Sequence, residues 1–397
     1  MPGLTHRRAL RAVALALPAA SAAALLSLPV GAVAATPRAG VAPQGNAVAA
    51  TPRAGAAGAP TAKLTPRFTT LPVKKISSHR ASARAAAVAP KLQTFTRSFR
   101  YASEHKTYSY TMVGYDPSVT GTAKIANSIT PIRFRFAGNK VQLPSASTVK
   151  AVTRSGLYTS QAFPGGKGQY GDIFMRTQFW SNIRYGKRNW HVVMAAPKVN
   201  APLRLSVPSD KGGPARTSSG AGVWLVDINW VDSALQSTIA KQSPAALTQF
   251  LGADVVLCGR YDPTDLSSCG IGGYHSATDD TDGMRTYSYQ SYMSSRIFGA
   301  KSGFYGLAPM SHELAEWLAN PYVKNEAPAW TEPSNPQYGC STELEVGDPL
   351  VGKVLTVAKQ VYQDEAYLAF FARQRPSTAW LGRYSWFGTF KTYSRSC

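Results

Sequence analysis

The stretch PMSHELAEWLANPYV, residues 309–323, sets His312, Glu313 and Glu316 within five positions. On a helix, residues four apart share a face, so His312 and Glu316 project together and can grip one cation. Glu313 is rotated about 100° from His312, where it can take a proton from a water the cation activates. Two ligands with a general base between them is the arrangement of the HExxH motif, here with a carboxylate in place of the second histidine. Leu314 and Leu318 would pack the opposite side. Pro321 disfavours helical geometry before it, so the helix should stop at Asn320.

A cation needs further ligands. TELEVGDPL (342–350) offers Glu343, Glu345 and Asp348. The intervening 321–341 holds Pro321, Pro328, Pro333 and Pro336 and reads as a loop able to fold back over the site. Glu345 is our choice of third ligand, with Asp348 as fourth ligand or as a partner to the ligands. Two anionic ligands offset the formal +2 of the ion, so bound water should be less acidified than the pKa of about 7 of the best zinc sites. We expect zinc, while an oxygen-rich shell also admits calcium or manganese. His275 stands on a strand just before the site in chain order, as an accessory ligand or substrate-orienting group, or as a hydrogen-bonded structural histidine. His191 reads as a core strand residue. FPGGKGQYGD (163–172) lacks phosphate-loop spacing, DDTDG (279–283) lacks the twelve-residue calcium frame, and both read as turns. No GxSxG segment is present.

The elements that must position these residues follow from periodicity. GVWLVDINW (222–230) is a strand, and 232–251 is helical with Asp232 as its cap. Residues 253–262, 272–277 and 285–293 are three further strands, and the His312 helix comes next. Upstream, 93–114 and 130–138 alternate apolar and polar residues as half-buried strands do. Residues 169–180 look helical, with Asp172 and Arg176 spaced to pair, and 189–197 is a strand. The fold class is therefore α+β. We expect a zincin-like mixed sheet with a backing helix and a metal-site helix over 211–397, preceded by a β-rich part over 93–210.

The N-terminus carries targeting features. A basic start, MPGLTHRRALR, precedes an apolar run with small residues at 32–35, which reads as a secretory signal over 1–35. No second apolar run is long enough to span a bilayer. Of the net +22, residues 1–100 hold fourteen Lys and Arg and no Asp or Glu, which leaves +8 for the rest. Residues 36–92 are rich in Ala, Pro, Gly and Arg and repeat AVAATPRAG, so we expect a disordered basic linker or propeptide there. Such an arm could hold an anionic cell surface; specific nucleic-acid binding is not expected. Four cysteines in an exported chain suggest two disulfides, and we expect Cys258–Cys269 and Cys340–Cys397.

SHELAEWLANPYVKN followed by LEVGD resembles the HELAE…NP…N…EIGD pattern of the phosphate-induced, EXORDIUM-like secreted proteins. CGIGGYHSA (269–277) is similar to their Cys-Gly-Phe/Tyr-His segment with two residues inserted. VYQDEAYLAFFARQRPS (361–377) is similar to a bacterial secreted group with the same motif. The resemblance covers roughly 220–350 and implies an extracellular protein with a zincin-like core and His312, Glu313, Glu316, Glu345 and Asp348 at its site. Together these readings suggest a secreted zinc-dependent hydrolase acting on peptide, with Glu313 as base. The alternative is a non-enzymatic, metal-stabilised envelope protein that binds cell-wall glycan.

Overall fold

A computed structural model describes residues 58–75, 90–280, 283–331 and 340–388. The signal segment over 1–35 lies outside the described residues, as do 36–57 and 76–89 of the expected linker.

Runs rich in β-branched and aromatic side chains form the strands that matter here. They are β1 (Arg67–Thr70), β2 (Gly121–Phe136), β3 (Gly222–Asp227), β4 (Ala246–Ala253), β5 (Val255–Cys258), β6 (Cys269–Asp280) and β7 (Gly283–Tyr292). Side by side they run β3, β5, β6, β7, β4, β2. The β3–β5, β7–β4 and β4–β2 pairs are parallel, while β5–β6 and β6–β7 are antiparallel. Trp190–Met194 extends the sheet beyond β2 and Gly212–Thr217 beyond β3. The fold is thus strand-rich α+β around one large mixed sheet.

Three helices supply the layers: α1 (Tyr170–Gln178), α2 (Ile228–Ile239) and α3 (Ala308–Ala319). Side chains alternate across a strand, and β4 shows which helix lies where. Leu247 and Leu251 join a core with Ile173, Leu314 and Trp317, from α1 and α3. Phe250 joins another with Val231 and Leu235 from α2. The metal-motif helix therefore covers one face of the sheet and α2 the other.

The order anticipated for 222–293 needs correction at two places, the first being the strand expected over 222–230, which ends at Asp227 where the helix begins. The helix over 232–251 ends at Ile239, and Ala246–Ala253 is a strand. Pro244 interrupts the helical pattern, and ALTQFLGA lies almost wholly buried as a parallel strand between β7 and β2, with Thr248 and Gln249 buried alongside its apolar residues. The cap is Asp227, whose Oδ1 accepts from the amides of Asn229 at 2.9 Å and Trp230 at 3.1 Å. Asp232 instead lies buried inside α2, accepting from the hydroxyls of Tyr287 at 2.7 Å and Tyr274 at 3.2 Å.

Asp172 and Arg176 do not form the anticipated pair. Asp172 is buried against Trp190–Met194 and accepts from the Val192 amide at 3.0 Å, with His191 Nδ1 at 2.9 Å. Arg176 donates to the carbonyls of Gly186 and Trp190. His191 is consequently part-exposed rather than a core residue.

The linker reading over 36–92 fails for 58–75. Thr61–Ala62 pairs with Gly212–Thr217, and β1 and Lys74–Lys75 both pair in parallel with β6. Composition argued for disorder, but sheet edges are satisfied by backbone groups, which composition does not report. Lys74 also pairs with the buried Asp232. The boundary anticipated at 210/211 separates no bodies either: Pro52–Cys397 is one compact unit, because β2 lies in the same sheet as β3–β7. Among the described residues, no helix is long and apolar enough to cross a membrane.

Asp232→Ala leaves two tyrosine hydroxyls and a lysine without their shared acceptor. It should cost about 3 kcal/mol of stability in urea unfolding, and Lys74→Ala, which leaves the buried carboxylate without its cation, should cost a comparable amount.

Candidate metal centre

All twelve residues of α3 are buried. A helix in that position must find partners for its polar side chains inside the protein. Pro309 sits in its first turn, where a missing amide costs nothing. The helix lies on β6 and β7, and Gly273 of β6 permits the approach. A Cβ there would stand 2.7 Å from Glu313 Oε1.

The site draws on three regions of chain. On β6, Tyr274 faces α2 through its bond to Asp232, so His275 faces α3. From α3 come His312, Glu313 and Glu316. Beyond the paired strands Glu326–Trp330 and Ser341–Glu343 come Glu345 and Asp348. Glu326–Trp330 and Ser341–Glu343 pair antiparallel, so the chain is back beside the site at Glu345; residues 332–339 of the expected loop lie outside the described residues. His312 Nε2 lies 3.1 Å from Glu316 Oε2 and 3.7 Å from Asp348 Oδ1. His275 Nδ1 lies 3.4 Å from Glu313 Oε2 and 3.6 Å from Glu316 Oε2. His275 Nε2 lies 3.8 Å from Glu345 Oε2. The potential ligands gather as two triads, His312–Glu316–Asp348 and His275–Glu316–Glu345.

The predicted residues therefore converge, with one redistribution. Glu345 and Asp348 do not share a triad, and His275 takes a full place beside Glu345. Glu343 points elsewhere and accepts from the Thr70 hydroxyl at 3.0 Å. Cys258 and Cys269 are disulfide-bonded across β5 and β6. Cys340 is exposed, and its proposed partner Cys397 lies outside the described residues.

Three supporting residues had no place in the sequence reading as partners of the site. Asn320, one residue past α3, donates from Nδ2 to Glu345 Oε1 at 2.8 Å, and its carbonyl lies 3.3 Å from His275 Nε2. Its own Oδ1 accepts from the amides of Lys324 and Asn325, both at 3.0 Å. Gly347 donates its amide to Glu316 Oε1 at 3.1 Å, and a Cβ on it would stand 2.3 Å from His312 Nδ1. Gln363 places Nε2 2.8 Å from both His312 Nδ1 and the Gly347 carbonyl. The glycine of EVGD and the asparagine after HELAEWLA were visible signals. Gln363 lies in the VYQDEAYLAFFARQRPS segment that carried a resemblance, but its residue type gave no sign of a role at the site.

Several atoms facing this cluster make no hydrogen bond: His275 Nδ1, His312 Nε2, both oxygens of Glu313 and Glu345 Oε2. Burial pushes the Glu313 and Glu345 carboxyls well up, reinforced by Glu316 and Asp348. Burial also raises Glu316 to about 8, against the pull of the Gly347 and Asp348 amides. It lowers His312 to about 4, and His275 to about 3 with His312 adding repulsion. Without a cation, then, the carboxyls are held neutral and the imidazoles uncharged.

Phe68 of β1 covers the cluster. Its ring stacks on the His312 imidazole with centroids 3.4 Å apart and planes 17° apart. Thr70, two residues on, sits opposite His275 in the parallel register of β1 and β6.

Compared with protein-family models, with curated proteins and with solved structures, the chain shows no match to any of them.

The raised carboxyls give the metal-free protein a distinctive pH response. Above pH 6.5 the histidines are neutral in both folded and unfolded chains, while Glu316 still holds its proton only in the folded one. Stability should therefore fall as pH rises from 6.5 to 8. Saturating zinc should abolish that fall, and thermal melts at several pH values with and without the ion read both effects.

Proposed function

We propose that the chain is an exported, metal-dependent hydrolase of the peptidase class, built on a zincin-like core and closed over by its own N-terminal segment. The single observation carrying this reading is the convergence of buried ligand atoms without hydrogen bonds. Each such atom costs about 1–3 kcal/mol if left alone, and a cation would satisfy several at once. The resemblance of HELAE and EVGD to EXORDIUM-like secreted proteins belongs to the same reading.

The donor set fits a transition-metal ion. Ligands bonded at about 2.0–2.2 Å lie roughly 3.0–3.6 Å from one another in a tetrahedral or octahedral shell, close to the separations seen here. Imidazole from both β6 and α3 argues for zinc or manganese over calcium, which prefers oxygen alone. His312 would ligate through Nε2, with Nδ1 held at the Gln363 side chain on the far edge of the ring. His275 would ligate through Nδ1, because its Nε2–H is directed at the Asn320 carbonyl.

A bound divalent ion would supply Lewis acidity and a more acidic water. The chain's own contribution is Glu313, which makes no hydrogen bond from either oxygen and stands 3.4 Å from His275 Nδ1. It is the group placed to hold the transferred proton. Phe68 and β1 exclude water, and substrate access requires their displacement.

The near-complete burial of the cluster favours a second reading, in which the ion only holds 321–350 in place and the protein binds peptide or wall glycan at an anionic cell surface. Two variants separate the readings. Phe68→Ala should open the site and raise hydrolysis of a peptide panel several-fold over the parent. Adding Glu313→Gln should retain the metal and lower that turnover by about a hundredfold or more. Equal turnover with glutamine at 313 refutes the assigned role. A chelator-sensitive melting temperature with no hydrolysis by either protein selects the structural ion.

A further inference from the structure

We propose that the cluster holds two divalent cations, bridged by Glu316, rather than one. This rests on the metal-binding half of the reading above and is independent of hydrolysis.

Glu316 is the one residue common to both triads. His312 approaches its Oε2 from one turn earlier on α3 at 3.1 Å, and His275 approaches the same oxygen from β6 at 3.6 Å. Each imidazole therefore has a position of its own beside a shared carboxylate, completed by Asp348 in one case and Glu345 in the other. His275 Nδ1 and His312 Nε2 are fully buried and make no hydrogen bond. The opposite nitrogen of each ring is already engaged, at the Asn320 carbonyl and at Gln363. Both rings are thus oriented by neighbours to aim one nitrogen inward.

Charge points the same way. Glu313, Glu316 and Glu345 bring three buried carboxylates when they act as ligands or base. Among the described residues, their ion pairs are to His275 and His312. Three such charges exceed what one divalent cation offsets, and leaving the excess buried is costly. A carboxylate shared between ions about 3.5–4 Å apart is an arrangement known from two-metal hydrolytic sites, and one imidazole per ion selects zinc or manganese.

The experiment is a stoichiometry. The full-length chain is stripped with chelator, then titrated with Zn²⁺ or Mn²⁺ by calorimetry, and bound metal is counted by elemental analysis after gel filtration. Two equivalents per chain are expected. His275→Ala and Glu345→Gln should each reduce the count to one, as should His312→Ala and Asp348→Asn, with circular dichroism confirming the fold. Glutamine at 345 is near-isosteric and serves if alanine at 275 does not fold. A parent protein binding one equivalent, or folded His275→Ala and Glu345→Gln variants keeping the parent's count, overturns the second ion while leaving the first. A folded parent that binds none overturns both readings.

Discussion

Removing five ionisable side chains from water at one spot is the demand around which this molecule is arranged. His275, His312, Glu313, Glu316 and Glu345 are all essentially inaccessible, and charged forms of such groups are expensive to bury unless something answers them. The surrounding chain supplies part of that answer. Asn320 and Gly347 each serve two elements of the site, and Gln363 fixes the edge of one imidazole. Two glycines thin the walls so that a helix and a loop can meet the ligands. The remaining shortfall, at atoms with no hydrogen bond, is what sets the place apart from a fully satisfied polar core.

Legibility in the sequence followed the range of the interaction. His312 and Glu316 are one helical turn apart, so local periodicity placed them together without any knowledge of the fold. Glu345 and Asp348 required only that a proline-rich segment return, which it does. His275 was harder: which face of a strand points inward is decided by neighbours, here by Tyr274 reaching Asp232 on the other side. Gln363 is brought in from 51 residues beyond His312; the resemblance picked out its segment, but nothing about the glutamine itself announced a partner of the site. The β4 strand was read as helix because it carries no period-two signal when both faces are buried. Residues 61–75 were read as linker because pairing with β6 is a backbone property, and a few scattered apolar residues, Leu64, Phe68, Leu71 and Val73, were the only hint that anything there was inside.

Burial and accessibility pull against each other at this centre. A closed cluster keeps its field strong and its geometry fixed, yet any substrate of the proposed hydrolase would have to reach it. The structure places the conflict in one short strand. β1 pairs with the strand carrying His275 and lays an aromatic ring on His312, so the ligands and their cover are parts of one packing arrangement.

That pairing also orders events in time. Thr70 must wait for His275, more than two hundred positions later in the chain, and the imidazole of His312 waits for Gln363 after that. Contacts so distant form late and only after long loops have closed. A ribosome or translocase delivering this protein from its N-terminus therefore releases nearly the whole polypeptide before the centre exists. Capture of the proposed ion would then belong to wherever the last residues arrive, not to where synthesis begins.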